Sequence, residues 1–114
     1  MMGKKRVVVQ SESYIPFKFL DAKEGDSFMR FAPYSGNLQD ITIKQTGEGR
    51  GLLDITFEKN GVNPSPLEFK TGEVVYNNMS GWNTHMEVFD EMRLSLFALE
   101  GNPKILVILH IIKT

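Results

Sequence analysis

Turn-forming residues recur at intervals of about ten residues along most of the chain, a spacing typical of β-sandwiches and jelly rolls. The clearest turns are the glycine-rich segment 47–51 and the pair Asn60 and Gly61. Residues 38–44 and 53–58, which precede these turns, alternate between apolar and polar side chains as half-buried strands do. We expect them to pair as consecutive strands of an antiparallel meander, because the glycine-rich turn joins them and an Asn-Gly pair, which favours a tight hairpin turn, follows the second one. No segment shows the period of a long helix. The pattern therefore predicts an all-β fold, an antiparallel, jelly-roll-like β-sandwich of eight or nine short strands.

The length of the chain fits one domain. Its 114 residues include 41% hydrophobic and 24% charged side chains, which is enough apolar material for a packed core. We expect residues 14–114 to form this single domain. Residues 1–13, which contain Lys4, Lys5 and Arg6, are expected to form a flexible basic arm.

Charge and composition exclude several kinds of partner. The 13 basic and 14 acidic residues give a net charge of −1, whereas proteins that coat nucleic acid carry a basic excess. We therefore expect no nucleic-acid partner. The chain has no cysteine, so disulfides and thiolate metal sites are excluded. The longest strongly apolar run, residues 105–112, contains His110 and is too short to cross a bilayer. No secretory signal pattern follows the basic residues of the arm.

Catalytic patterns are scarce. The two histidines, His85 and His110, have no serine nucleophile motif near them in the sequence. The acidic residues around Gly25 lack the spacing of a calcium loop, and the glycine-rich segment 47–51 lacks the lysine and helix of a phosphate site. We therefore predict a protein that is not an enzyme and that holds no metal or cofactor.

The last strand pattern is apolar on both faces, which is unusual in a sandwich. Alternation places Ile105, Val107, Leu109 and Ile111 on one face, and Leu106, Ile108 and Ile112 on the other. The preceding strand carries Phe97 and Leu99 on the face opposite Leu94 and Leu96.

Such a second apolar face needs a cover, because each exposed side chain of this size forgoes about 1.5–3 kcal/mol of burial. The cover is either the segment with Tyr14, Phe17 and Phe19 or a neighbouring subunit. We favour the subunit and predict a homo-oligomer. Its predicted interface consists of Phe97, Leu99, Leu106, Ile108 and Ile112.

One loop suggests a second kind of contact. Aromatic rings among amides can stack on sugars while the amides bind hydroxyl groups, so Tyr76, Asn78, Trp82 and Asn83 form a possible carbohydrate-contacting loop. The alternative is a surface loop whose Trp82 packs back on the core.

Two segments together resemble small β-sandwich virion proteins of tailed bacteriophages. They are FAPYSGNLQDITI, residues 31–43, and LDITFEKNG, residues 53–61. The family pattern has a P-x-x-G turn, an L-x-D-I-x-I strand, a glycine-rich turn and a V-D-I-x-K-N-G strand. The likeness extends over about residues 28–113. The chain departs from it at residues 89–91, where Phe-Asp-Glu replaces the usual Gly-Asp.

This resemblance implies a head-decoration, head-fibre or tail-fibre component, built as a trimer and located in the virion after assembly in the bacterial host cytoplasm. We predict a capsid decoration or head-fibre protein whose partners are its own copies and the major capsid protein. Lys4, Lys5 and Arg6 would contact acidic capsid surface. The alternative function is a carbohydrate-binding module or tail-fibre adhesin that uses the loop around Trp82.

Overall fold

A computed structural model describes residues 11–57, 66–78 and 85–114, and these residues form nine strands and no helix. The strands are β1 Glu12–Phe19, β2 Ser27–Phe31, β3 Gly36–Gln45, β4 Glu48–Phe57, β5 Leu67–Lys70, β6 Val74–Asn78, β7 His85–Met86, β8 Glu91–Asn102 and β9 Ile105–Lys113. In this part of the chain no helix is long and apolar enough to cross a membrane. Strand β1 starts at Glu12, within the segment 1–13 that the sequence assigns to the arm.

The strands form two antiparallel sheets that enclose one core. The five-stranded sheet has the order β1-β9-β3-β6, with β7 also paired to β3, and the four-stranded sheet has the order β2-β8-β4-β5. Apart from the short β7, this is an arrangement of two four-stranded layers connected as in a jelly roll. The predicted β-sandwich of the jelly-roll kind is therefore confirmed.

The predicted meander is wrong. Strands β3 and β4 follow each other in the chain, but β3 pairs with β9 and β4 pairs with β8. The chain crosses from one sheet to the other between them, so that Ile41 and Ile43 of β3 and Leu53 and Ile55 of β4 are all buried in the shared core. Alternation in the sequence identifies a half-buried strand, but both arrangements satisfy it equally well. Asn60 and Gly61, the predicted hairpin turn, lie outside the described residues.

A β-bulge changes the side of the sheet toward which the side chains at the end of β8 point. Leu52 pairs with Phe97 and Arg50 pairs with Glu100, so that Ala98 and Leu99 together lie opposite Gly51. Ala98 has a φ of 54°, which turns Leu99 inward to pack against the core. The prediction that Leu99 shares the outer face with Phe97 is therefore wrong, because strict alternation stops at the bulge.

The two crossings between the sheets lie side by side at one end of the sandwich. Thr46 donates a backbone hydrogen bond of 2.8 Å to the carbonyl of Lys104, which joins the β3–β4 turn to the β8–β9 turn. The buried Gln45 side chain donates to the carbonyls of Gly47 and Gly49, at 3.1 and 2.8 Å. These bonds satisfy backbone groups where the chain leaves the sheet ladders.

Phe89 lies in the turn before β8. Its φ of 72° lies in the left-handed region that glycine adopts at lower cost. The side chain is 76% exposed, so the phenyl ring contributes little to the core there.

Candidate functional site

The outer face of the five-stranded sheet carries the residues on which the oligomer prediction depends. Directly opposed residues of adjacent strands point to the same side of a sheet. Four residues that lie opposite one another on β1, β9, β3 and β6 form a row across this face, and each row is written here in that strand order. The two rows at one end are Pro16–Ile108–Thr42–Tyr76 and Lys18–Leu106–Lys44–Val74. A third row, Tyr14–His110–Asp40–Asn78, lies next to them.

The apolar residues of this face lie on β9 and on β6, and Thr42 and Lys44 of β3 lie between them. Leu106 and Ile108 of β9 are half-buried and lie between the flanking strands, while Val74 and Tyr76 of β6 are each 62% exposed. Ile112, further along β9, is also half-buried on this side. Three of the predicted interface residues therefore lie on the outside of the sandwich, where another protein surface can contact them.

The pairing of β1 excludes Phe17 and Phe19 as the cover of the second apolar face of β9. Phe17 and Phe19 lie opposite Val107 and Ile105, and all four side chains are buried in the core between the sheets. They therefore occupy the other face of β9. Tyr14 is the exception, since its side chain lies on the outer face beside His110.

A polar cluster adjoins the apolar part of the face. His110 Nδ1 lies 2.8 Å from Asp40 Oδ2, and both side chains are only 13% exposed. The Tyr14 ring stacks on the imidazole with a centroid distance of 4.6 Å and an angle of 8° between the planes. Glu12 Oε1 lies 3.6 Å from His110 Nε2. The hydrogen bond to Asp40 therefore holds the imidazole in the outer surface of the sheet.

Asp40 also links this cluster to β6. The Tyr76 hydroxyl hydrogen-bonds to Asp40, and partial burial together with the negative Asp40 carboxylate raises the pKa of Tyr76 above its ordinary value. The Asp40 carboxylate thus contacts groups from two neighbouring strands.

We expect the substitution Asp40→Asn to lower the pKa of Tyr76 part of the way back toward the ordinary value. Burial of the phenol is the larger cause of the shift and stays in place, whereas the charge that opposes phenolate formation is removed. Ultraviolet titration of the three tyrosines, with Tyr76→Phe to assign the signal, measures this change. An unchanged Tyr76 pKa in Asp40→Asn would contradict the assigned contact.

Phe97 lies on the opposite side of the molecule, on the outer face of the four-stranded sheet. It is half-buried and pairs with Leu52 of β4. Most of its neighbours on that face are polar, namely Ser95 with Asp54 and Arg93 with Thr56. Near the edge, Arg50 Nε lies 2.6 Å from Glu100 Oε2, and this exposed pair raises the pKa of Arg50 and lowers that of Glu100. The predicted interface residues therefore belong to two separate surfaces.

A second polar cluster lies where β7 meets β3. His85 contacts Asn37 Oδ1 at 3.1 Å and Glu87 Oε1 at 2.8 Å, and the Ser35 hydroxyl donates to Glu87 Oε2 at 2.9 Å. Glu87 thus stands between the serine and the histidine. A serine nucleophile is activated by direct contact with the base, so this order differs from that of a catalytic triad.

Several predicted site residues cannot be placed. Lys4, Lys5 and Arg6 of the arm, and Trp82 and Asn83 of the possible carbohydrate loop, lie outside the described residues. Tyr76 and Asn78 lie on strand β6 rather than in a loop. The carbohydrate hypothesis stays a prediction.

Sequence reasoning missed Pro16, Val74 and Asp40 as parts of the outer face. They belong to β1, β6 and β3, which are all distant from β9 in the sequence. In the sheet, β1 and β3 are adjacent to β9, and β6 is one strand further. The exposed apolar positions of β1 and β6 were the available signal, but only the pairing shows that they continue the β9 surface.

Comparison with known proteins shows the fold and no family. No family model and no curated protein matches the chain. Among solved structures, it is similar to Drosophila NLP-core, a structure described as informing pentamer formation and histone binding. The TM-score is 0.51 at 17% identity over 90% of this chain and 98% of that one. The SPBc2 prophage-derived protein YomS gives a TM-score of 0.43 at 15% identity over 92% of this chain and 99% of that one. The first likeness shows that this chain has the β-sandwich fold of NLP-core.

Proposed function

We propose that the protein is a non-enzymatic structural component that assembles with copies of itself. One observation carries this proposal, namely the outer face of the five-stranded sheet, where Leu106 and Ile108 of β9 and the exposed Val74 and Tyr76 of β6 lie on either side of β3. Leu106 and Ile108 adjoin Pro16 of β1 on this face, and neighbouring apolar groups on the outside of a folded domain mark surfaces that contact other proteins.

The positions of the interface residues favour a head-to-tail assembly. Phe97 with Leu52 lies on one outer face, whereas Ile108 with its neighbours lies on the other. A two-fold contact uses the same patch on both subunits and would leave one of these surfaces open. A head-to-tail contact, in which the first face of each copy packs against the second face of the next copy, covers both, and it closes into a ring when the rotation between copies returns to the first one.

The number of copies in our proposal is three, as the resemblance to tailed-phage virion modules implies. NLP-core, which shares the fold, is described as forming a pentamer, so a closed ring of this fold is also reasonable with five. We do not carry histone binding over, because a net charge of −1 gives little attraction for strongly basic partners.

The site of action in our proposal is a tailed-phage particle, where the ring decorates the capsid or forms part of a head fibre. Support comes from the resemblance of residues 31–43 and 53–61 to virion modules and from the β-sandwich fold. Contacts with the major capsid protein would involve Lys4, Lys5 and Arg6.

Light scattering at micromolar concentration tests the assembly. We expect a mass that is a small multiple of 12.9 kDa, with three chains as the proposed number. A single-chain mass would contradict the proposal. Co-sedimentation with purified capsids then tests the location, and failure to sediment with them would leave the assembly without its proposed partner.

A further inference from the structure

Strand β2 is an open sheet edge with large apolar side chains. Among the described residues it is the first strand of the four-stranded sheet and pairs only with β8. Phe28, Met29 and Phe31 are 48%, 43% and 56% exposed. An edge strand presents unpaired backbone groups that can pair with a further strand.

The adjacent edge of the other sheet is protected, whereas β2 is not. Strand β1 carries Pro16, which has no N–H to donate, and the exposed Lys18. Proline and lysine are the residues with which natural sheets block edge pairing. Strand β2 contains neither, and Arg30 is its one charged residue.

The geometry points to residues 6–10 of a second copy as an added strand on the free edge of β2. This inference rests on the proposed self-assembly and names one of its contacts. The segment Arg-Val-Val-Val-Gln has the β-branched composition of a strand, and it lies within the ten residues that precede the described chain. Residues 6–10 directly precede Ser11 and span at most about 17 Å when extended, so the β2 edge of the second copy would lie beside the start of β1.

The side chains of the two segments match. An added strand places Val7 and Val9 on one side and Val8 on the other. Strand β2 also offers apolar groups on both sides, with Phe28 toward the core edge and Met29 and Phe31 toward the outside. Main-chain hydrogen bonds would provide affinity, and these apolar contacts would set the position, as in other cases of strand addition.

A second copy fits better than the same chain. The Phe28 ring contacts those of Phe17 and Phe19, at centroid distances of 6.3 and 5.1 Å, so β2 lies level with the second half of β1. The chain enters β1 at its opposite end, where the Ser11 carbonyl accepts a hydrogen bond from Lys113. If the chain reversed direction at Ser11, residues 7–9 of the same copy would still lie about 10 Å from the middle of β2.

Disulfide cross-linking tests this contact directly, because the chain has no cysteine of its own. The substitution Met29→Cys is combined in turn with Val7→Cys, Val8→Cys and Val9→Cys, which covers both possible alternations of the added strand. After mild oxidation and denaturing, non-reducing electrophoresis, we expect at least one pair to shift the protein from single-chain to multi-chain bands. The control replaces Met29→Cys with Glu68→Cys, an exposed residue on β5 at the opposite edge of the same sheet.

Two results would overturn the inference. They are cross-links confined to a single chain and multi-chain bands no stronger than those of the Glu68→Cys control. Both leave the proposed function standing if light scattering still shows an assembled protein. A single-chain mass for the unmodified protein removes the proposed function itself.

Discussion

Replacing Ile108 with lysine should convert the assembled protein to single chains without unfolding it. Ile108 lies in the middle of the outer face, between Pro16 on β1 and Thr42 on β3, while the core residues of β9 point the other way. Burying an ammonium group against a neighbouring subunit costs several kcal/mol, whereas in a free chain the long side chain can reach water. Light scattering measures the loss of mass, and circular dichroism verifies that the melting temperature is retained.

The proposed head-to-tail arrangement also predicts the result of a substitution on the opposite outer face. Phe97→Lys, on the opposite outer face, should also give single chains, whereas Thr56→Lys on that same face is the control and should stay assembled. An equal mixture of Ile108→Lys and Phe97→Lys should form two-chain complexes, because each variant keeps the face that the other has lost. Retained assembly of Ile108→Lys would contradict the proposed surface. Absence of two-chain complexes would contradict the head-to-tail arrangement.

Replacing Gly49 with alanine should reduce the free energy of unfolding by about 3 kcal/mol or more. Gly49 pairs with Gly101 where β4 and β8 turn between the sheets, and its φ is 131°. An added Cβ would overlap the backbone carbonyl oxygen of Glu100, a group that cannot move without breaking the ladder. Gly49 also exchanges hydrogen bonds with the Thr71 hydroxyl, at 2.7 and 3.1 Å, which links β4 to the end of β5. Denaturant unfolding measures the change.

Gly72 provides the matched control for this prediction. Its φ of 74° is also positive, but nothing lies within 4 Å of the position that an added Cβ would take. Gly72→Ala should therefore cost only the conformational penalty, about 1–2 kcal/mol. Equal losses for the two variants would show that the close approach at Gly49 contributes nothing.

The residues that form strands could be read from the sequence because burial on one face imposes a two-residue period on a strand. Ile41 with Ile43, and Leu53 with Ile55, show that period, and all four are buried in the core. The final strand was predictable as apolar on both faces for the same reason, and Ile105 with Val107 proved to be its inner side. These features depend on neighbouring residues in the chain.

Other features depend on which strands become neighbours, and the sequence by itself does not contain that information. The β3–β4 turn was compatible with a hairpin, but burying both apolar faces in one core sends the two strands into different sheets. The bulge at Ala98 turned Leu99 inward, and pairing brought Asp40 to His110 across 70 positions of sequence.

The local pattern thus determined which side chains avoid water. Only the tertiary structure decided where they meet, because that choice depends on the packing of all the strands at once.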